Sequence, residues 1–389
     1  MNQQGSINQI SEAIRRVTGP GRFGLHEPEI GSAERAMVMR SLDSGFVSSI
    51  GQEIGKFENQ LADYTGAKNV VAVVNGTVAL QLAMLAHGVG PGDEVLVPAL
   101  TFVATANAVL HCGATPHFIE SHGDYMGIDC GQLVNYLHFN TVQHDGGCYN
   151  RNTGARIAAI IPVHIFGMID DIEAIVEIAA EFGIVVIEDA AEALGSWKHN
   201  RHAGLFGSCG ALSFNGNKII TTGGGGAVLT DDDVLATHLR HISTTAKIAH
   251  PFLYRHDRLG FNFRMPNINA ALGCAQMDRF ESIRCRKKML HRAYASSFMD
   301  KTEFKVITVE GVDDWNCWLN GIVLNETLAS TRDEIIEALN SEGLECRPLW
   351  DLMHDQDHLS ECPRMPLKNA EKWVKAVINI PSSAFIHIQ

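Results

Sequence analysis

Ala211-Leu-Ser-Phe-Asn-Gly-Asn-Lys218-Ile-Ile-Thr-Thr-Gly-Gly-Gly-Gly226 reads as a short apolar strand that breaks into a loop, carries one lysine and closes on four glycines. Glycine lets backbone turn tightly and be approached closely, so the Lys218 amine stands where a ligand can reach it. Runs of the same kind lie upstream: Val70-Val-Ala-Val-Val74, Glu94-Val-Leu-Val97, Ile157-Ala-Ala-Ile-Ile161 and Ile184-Val-Val-Ile187. Short apolar runs separated by helical stretches are what a sheet covered on both faces requires. The reading is a large α/β domain on a mainly parallel sheet, and ligands of such sheets collect at the carboxyl ends of strands. Asn75, Asp189 and the loop of Asn215 and Lys218 all follow strand ends.

A solvated loop lysine is the competing reading of Lys218 taken alone. Its company argues for chemistry. Glu188-Asp189 ends a strand, Asn75-Gly76-Thr77 turns a strand into a helix, and Ser213 stands five residues before the lysine. Together these supply what pyridoxal 5'-phosphate needs: an amine for its aldehyde, a carboxylate for its pyridinium nitrogen, and amides and hydroxyls for its phosphate. No Gly-Lys-Ser/Thr follows the four glycines, which argues against a P-loop.

The chain has 389 residues, 46% hydrophobic and 19% charged, enough for two domains of ordinary globular composition. No apolar run has the length of a membrane span. A net charge of −13 argues against a nucleic-acid surface but not against a local basic pocket for a diphosphate. Nine cysteines without Cys-x-x-Cys spacing fit scattered thiols in a reducing compartment. Met1-Asn-Gln-Gln-Gly-Ser6 has no signal-peptide pattern, and the expected location is the cytoplasm.

Residues 1–27 read as a polar lead with one short amphipathic helix over 10–17. The large domain is expected over 28–266. A long proline-free helix over 267–298 is expected to connect it to a smaller α+β domain over 299–389, with strands near 318–324 and 344–346 and helices over 331–340 and 367–376. The interval 122–153, with Tyr125, His138, His144 and Cys148, matches no common zinc spacing and reads as a helix plus an exposed loop. No metal is expected.

Six stretches in order carry a resemblance: Asn75-Gly-Thr77 with Ala79-Leu80, Pro98-Ala-Leu-Thr-Phe-Val-Ala-Thr105, Pro162-Val-His-Ile-Phe-Gly167, Glu188-Asp-Ala-Ala-Glu-Ala193, Ser213-Phe-Asn-Gly-Asn-Lys218 and Gly260-Phe-Asn-Phe-Arg-Met265. The chain thereby resembles the nucleotide-sugar aminotransferases of the DegT/DnrJ/EryC1/StrS group over about 28–383. Phe214-Asn-Gly-Asn217, Met265-Pro-Asn-Ile-Asn269, Arg347-Pro-Leu-Trp350 and Asn379-Ile-Pro-Ser-Ser383 are similar to its LegC-like branch. The wider family often has a glutamate in the glycine run, where this chain has none.

The resemblance implies a fold-type I pyridoxal-phosphate aminotransferase with Lys218 as Schiff-base lysine and proton carrier, and Asp189 against the ring nitrogen. Asp189 could also cap a helix starting at Ala190. Glu192 stands where the family offers glutamine or histidine near the cofactor ring, with a capping-box glutamate as the other reading. Phe102 resembles the aromatic that stacks on the ring, against a core phenylalanine. Gly76, Thr77 and Ser213 resemble the phosphate site, though Asn75-Gly76 alone is just a turn and Ser213 alone a satisfied strand hydroxyl. Asn262 resembles the asparagine that crosses a twofold interface to complete the neighbour's phosphate site, against a polar loop leading into the connector. Arg264, Arg347 and Trp350 are the candidates for holding substrate, and His164 has no role beyond support.

The implied reaction moves an amino group from an amino acid, most often glutamate in this family, to a nucleotide-linked keto sugar. The branch favours C4 of a UDP-linked 4-keto-6-deoxy-N-acetylhexosamine for surface-glycan or nonulosonic acid synthesis, by a homodimer with shared sites. Two alternatives stand beside it. Relatives that dehydrate the sugar carry histidine in place of the lysine, and Lys218 argues against that. A silent nucleotide-binding protein on the same scaffold would be colourless.

Overall fold

The computed structural model describes residues 3–308 and 314–388. Helices α1 (Gln3–Thr18), α2 (Ser32–Asp43) and α3 (Gln52–Thr65) lead into strand β1 (Asn69–Val73). Alternation then sets in: α4 (Gly76–Ala86), β2 (Asp93–Pro98), α5 (Val103–His111), β3 (Thr115–Ile119) and α6 (Cys130–Asn140). A hairpin of β4 (Thr141–His144) and β5 (Gly147–Asn150) precedes β6 (Arg156–Ile160), α7 (Ile172–Phe182) and β7 (Val185–Asp189). A short ribbon, β8 (Trp197–Lys198) and β9 (Arg201–His202), is followed by β10 (Cys209–Ser213), β11 (Gly226–Thr230) and α8 (Asp233–Ser243).

The main sheet has nine strands with the path β1-β11-β10-β7-β6-β2-β3, and β5 and β4 extend it from β6. The pairs β2/β3, β2/β6, β6/β7 and β7/β10 are parallel, whereas β11 runs antiparallel to both neighbours. The reason lies in the connection. Parallel neighbours need a crossover, usually a helix, and none stands between β10 and β11. The two strands form a hairpin, Ser213 opposite Gly226, and the lysine stretch is its loop. Phe214 N–H donates to the Gly225 carbonyl at 2.8 Å, and Thr222 N–H to the Phe214 carbonyl at 3.0 Å. The sheet is therefore mixed.

Strand β3, not anticipated from the sequence, contains Pro116 and His117. It lies at the end of the strand path, where a missing N–H is tolerated. His117 is buried, with Nδ1 2.8 Å from Glu94 Oε2 and Nε2 3.0 Å from the Tyr136 hydroxyl.

Helix α4 starts because the Asn75 side chain accepts from Val78 N–H at 2.8 Å. Ala79, Leu80, Leu82, Ala83 and Met84 are all buried, so the helix is apolar nearly all round and lies inside the layer rather than on it. Its first turn is squeezed against the hairpin. A Cβ on Gly76 would stand 2.8 Å from Ser213 Cβ, and one on Gly226 would stand 2.5 Å from the Asn75 carbonyl. The glycine run thus serves chain crossing as well as ligand approach.

The long helix expected over 267–298 is two, α9 (Asn267–Asp278) and α10 (Phe280–Phe298), broken at Arg279. The Arg279 guanidinium binds Glu29 and Glu34. Beyond it come β12 (Phe304–Val306), β13 (Asn320–Leu324), α11 (Glu326–Ala329), α12 (Arg332–Ser341), β14 (Arg347–Pro348), α13 (Lys368–Ala376) and β15 (Val377–Ile380). These strands form an antiparallel sheet in the order β12-β13-β15-β14.

Helix α1 is longer than the 10–17 segment expected, and it has a partner. Ile7, Ile10, Ala13, Ile14 and Val17 pack with Leu290, Tyr294 and Phe298 of α10 and with Phe304, Ile322 and Leu339 in a second core under the small sheet. Residues 349–370 turn back onto the main core instead: Met353 N–H donates to the Ala99 carbonyl at 2.9 Å, and Phe118 N–H to that of Pro363 at 2.8 Å. Among the described residues no helix is long and apolar enough to cross a membrane.

Candidate active site

The carboxyl ends of β1, β7 and β10 open into a cavity of about 300 Å³. Gly76, Thr77, Phe102, Asp189, Glu192, Ser213, Lys218 and Trp350 line it, as do Thr105, Asn217 and Trp318. Three consequences of strand order bring them together. β7 and β10 are adjacent and parallel, so Asp189 and the lysine loop emerge side by side. β11 places the start of α4 against Ser213. Residues 349–370 carry Trp350 back to Phe102, with ring centres 6.2 Å apart.

Lys218 Nζ lies 3.0 Å from Glu192 Oε1, and the other oxygen, Oε2, accepts from Phe166 N–H at 2.8 Å. Trp318 covers the amine, its ring centre 4.2 Å from Nζ, while its Nε1 donates to the Asn217 carbonyl at 2.9 Å. Burial raises the pKa of Glu192, opposed chiefly by the Lys218 charge. Asp189 is also buried: Oδ2 accepts from the Thr105 hydroxyl at 2.8 Å and Oδ1 from Ala191 N–H at 3.1 Å. Burial raises its pKa too, against those hydrogen bonds.

Neither capping reading survives, because 190–196 is a chain of turns without a helix. Glu192 is held in this turn by Asn316, whose amide donates to the Glu192 and Leu194 carbonyls at 2.7 and 2.9 Å. Phe102 is not a core residue within this chain: it precedes α5 with 51% of its surface exposed. Glu188 points away from Asp189, as alternation along a strand requires. It accepts from Gly204 and Gly207 N–H, each at 2.7 Å, and its Oε2 stands 2.9 Å from His164 Nε2. His164 is buried by this pair.

Three candidates stand outside the cavity of their own chain. Arg264 reaches Glu58 Oε1 at 2.9 Å, a carboxylate that Arg240 also binds. Arg264 adjoins the carboxyl end of β1 through a bridge to Val73, and its other terminal nitrogen is buried without a hydrogen-bond partner among the described residues. Arg347 is exposed on β14, pairs with Glu345 at 2.9 Å and does not line the cavity of its own chain. Asn262 is exposed, bridged to Thr244.

Thr105, Trp318 and His26 were missed by the sequence reading. Thr105 had a signal, since Thr101 precedes it by one helical turn and their hydroxyls lie 3.1 Å apart. Trp318 had none, because only the tertiary fold brings the small domain over the lysine. His26 approaches from the stretch before α2, its ring centre 6.1 Å from that of Trp318, with both ring nitrogens buried and unpartnered. Burial, then the charges of Lys287 and Lys218, hold its pKa well below the usual range. Among the described residues no cluster of three or more His, Cys, Asp or Glu could hold a metal.

The residues fit pyridoxal phosphate. A buried carboxylate with no cation bonded to it faces the same cavity as a covered amine, and the first amides of α4, which no intrahelical acceptor can satisfy, open beside two hydroxyls. Fold and site together define a pyridoxal-phosphate-dependent aminotransferase of fold type I.

The comparisons agree. The DegT/DnrJ/EryC1/StrS aminotransferase family matches residues 28–387, and the chain belongs to that family. It is 35% identical over 366 residues to the GDP-perosamine synthase of Caulobacter vibrioides, covering 93% of this chain and 94% of that one. S. venezuelae DesV, solved in complex with a ketimine intermediate, has 29% identity and a TM-score of 0.79 over 91% of this chain and 90% of that one. Helicobacter pylori PseC, an aminotransferase of pseudoaminic acid biosynthesis, superposes with a TM-score of 0.85 over 94% and 95% of the two chains at 24% identity, which speaks for the fold. The chain is an aminotransferase of this family.

Proposed function

We propose that this enzyme takes its amino group from L-glutamate and places it on C4 of a nucleotide-linked 4-keto-6-deoxy sugar, an N-acetylated hexosamine on UDP, for surface-glycan or nonulosonic acid synthesis. The observation that carries transamination is the Lys218 amine, covered by Trp318 and held 3.0 Å from Glu192 in the cavity that Asp189 also lines. The sugar assignment rests on the LegC-like stretches, among them Arg347-Pro-Leu-Trp350.

Bound in the cavity, pyridoxal phosphate supplies an aldehyde for amines and a ring that withdraws electrons from the carbon bearing them. The rest belongs to the chain. Asp189, positioned by Thr105, would face the ring nitrogen, and a cation there would relieve the cost of burying its charge. The start of α4, with Thr77 and Ser213, would hold the phosphate. Phe102 would lie on the ring face. Lys218 Nζ would carry a proton between the substrate carbon and the cofactor, while Trp318 and Trp350 exclude water from it.

We place the active unit as a homodimer in the cytoplasm, with Asn262 completing the partner's phosphate site. Its support is the exposed apolar surface near that residue: Phe252, Tyr254 and Leu259 are 78%, 82% and 79% exposed. A GDP-linked substrate is the second reading, favoured by the name of the Caulobacter relative. The test is turnover with glutamate on a panel of UDP-, GDP- and TDP-linked 4-keto and 3-keto sugars, followed by mass and stereochemistry of the product. A product aminated at C3, or turnover confined to GDP sugars, would replace the first reading.

A further inference from the structure

Glu192 does more than its position beside a cofactor ring requires. Its carboxylate is buried, 6% exposed, and its two oxygens have different work. Oε2 is fixed by Phe166 N–H at 2.8 Å, in a turn that holds Phe166 at a φ of 58°. Left-handed backbone is strained for a phenylalanine, so the surrounding structure imposes it. Gly167 follows at a φ of 84°, where a Cβ would stand 2.1 Å from Asn316 Oδ1, and Trp315 Nε1 donates to the Phe166 carbonyl at 2.8 Å. Oε1, by contrast, meets only Lys218 Nζ among the described residues, at 3.0 Å. One oxygen is anchored and the other is left on the reactive amine.

The charged groups around this pair are few. Asp189 faces the amine from β7, but its oxygens are taken by Thr105 and Ala191 N–H. His26 stands behind Trp318, and His164 is bound to Glu188. Lys287 on α10 donates to the Trp318 and Ser382 carbonyls. Glu192 is thus the one carboxylate among the described residues bonded to the amine. Water has poor access, because the Lys218 side chain is 12% exposed. A lysine that must attack an aldehyde has to give up a proton first, and here the acceptor is already in contact.

We propose that Glu192 is a catalytic residue that takes the proton from Lys218 Nζ and returns it to the oxygen that leaves. Ammonium and carboxylate become amine and carboxylic acid. The amine forms its bond to the aldehyde carbon of pyridoxal phosphate as the carbonyl π bond breaks, and one of the two protons now on the nitrogen passes to the oxygen, which becomes a hydroxyl. Glu192 then gives its proton to the resulting hydroxyl, which departs as water, and the nitrogen–carbon double bond closes. No proton crosses to solvent, and no oxidant is needed. The proposal rests on the reading of this cavity as the cofactor site.

The test uses the full chain stripped of cofactor and mixed with pyridoxal phosphate, with the rise of imine absorbance followed by stopped flow between pH 6 and 9. In the native chain the rate is expected to be nearly flat with pH. In Glu192→Gln, which keeps a hydrogen-bonding side chain of the same size but accepts no proton, the amine must lose its proton to water. The rate should then fall by about tenfold per pH unit on the acid side and lie at least about 100-fold below native at pH 6. Glu192→Ala should recover at least tenfold with added formate, which only a missing proton acceptor explains. Rates are compared at saturating cofactor, and binding of pyridoxine phosphate, which has no aldehyde, is read by tryptophan fluorescence to set that concentration for each protein. Equal pH profiles for native and Glu192→Gln, or no rescue by formate, overturn the proposal. Failure of the native chain to hold pyridoxine phosphate overturns the cofactor site and the proposal with it.

Discussion

The Lys218 amine lies 4.2 Å from the centre of the Trp318 ring, so a residue just ahead of β13 in the small sheet covers a lysine held in a hairpin of the large one. The same indole fastens the lysine loop through its bond to the Asn217 carbonyl. A cation over an indole gains about 1–2 kcal/mol once desolvated. Trp318→Leu should therefore bind glutamate and cofactor but run the first half-reaction roughly 5- to 30-fold more slowly, read as the rate of spectral change on mixing with glutamate. An unaltered rate would remove the indole from the site's chemistry.

Lys218→Ala should fold as native by circular dichroism and lose turnover by at least about 1,000-fold, since it removes both the covalent anchor and the proton carrier. Borohydride reduction of native holoenzyme should leave a pyridoxyl group on the peptide containing Lys218. The variant should carry none.

Thr105→Val tests the positioning of Asp189. The hydroxyl donates to a buried carboxylate at 2.8 Å, and such a bond contributes about 1.5–3 kcal/mol. The expected result is a cofactor dissociation constant raised roughly 10-fold or more and, because the bond is present without cofactor, a lower melting temperature of the apo chain. Asp189→Ala should be worse on both cofactor retention and single-turnover rate.

Asp170→Asn tests the pH dependence of stability. Asp170 is buried beside His164, and burial pushes its carboxyl up from 3.8 to about 6. A folded-state pKa above the unfolded one means the folded chain holds the proton more tightly. That contribution is fully present below pH 4 and is lost as pH rises through about 6. Relative to native, the asparagine variant should gain stability between pH 4 and 7 by up to about 3 kcal/mol, measured by urea unfolding at both ends.

The proposed homodimer with shared sites predicts complementation. Lys218→Ala and Asn262→Ala homodimers should each be inactive or nearly so. Subunit exchange should create heterodimers with one intact site, restoring about a quarter of native activity when the two chains are mixed equally. No recovery, with exchange verified by mass, would place Asn262 outside the partner's site.

Much of the α/β frame was legible because it is written in local patterns. Apolar runs at β1, β2, β6, β7 and β10 need burial on both faces, and the cap at Asn75 and the strand end at Asp189 announce themselves by residue type. β3 was illegible because Pro116 and His117 disguise a strand that only an edge position and the Glu94 pairing make possible. β11 was hidden by glycines whose need is tertiary: a side chain at Gly226 would strike the Asn75 carbonyl. The helix expected after Asp189 failed because Glu192 is claimed by Lys218 and Phe166, contacts worth more than a marginal helical turn.

By itself the sequence determined which groups are available for chemistry: one lysine on a glycine-flanked loop, one carboxylate at a strand end, and a helix start that leaves amides free. Tertiary structure alone decided which of them meet. The crossing order of β7, β10 and β11, the return of residues 349–370 and the placement of Trp318 join groups as distant in sequence as Phe102 and Trp350. It also left Arg264 and Arg347 outside the cavity of their own chain, paired with Glu58 and Glu345. The physical reason is that residue type and spacing set local conformation, whereas burial and electrostatic pairing depend on what the rest of the chain brings alongside.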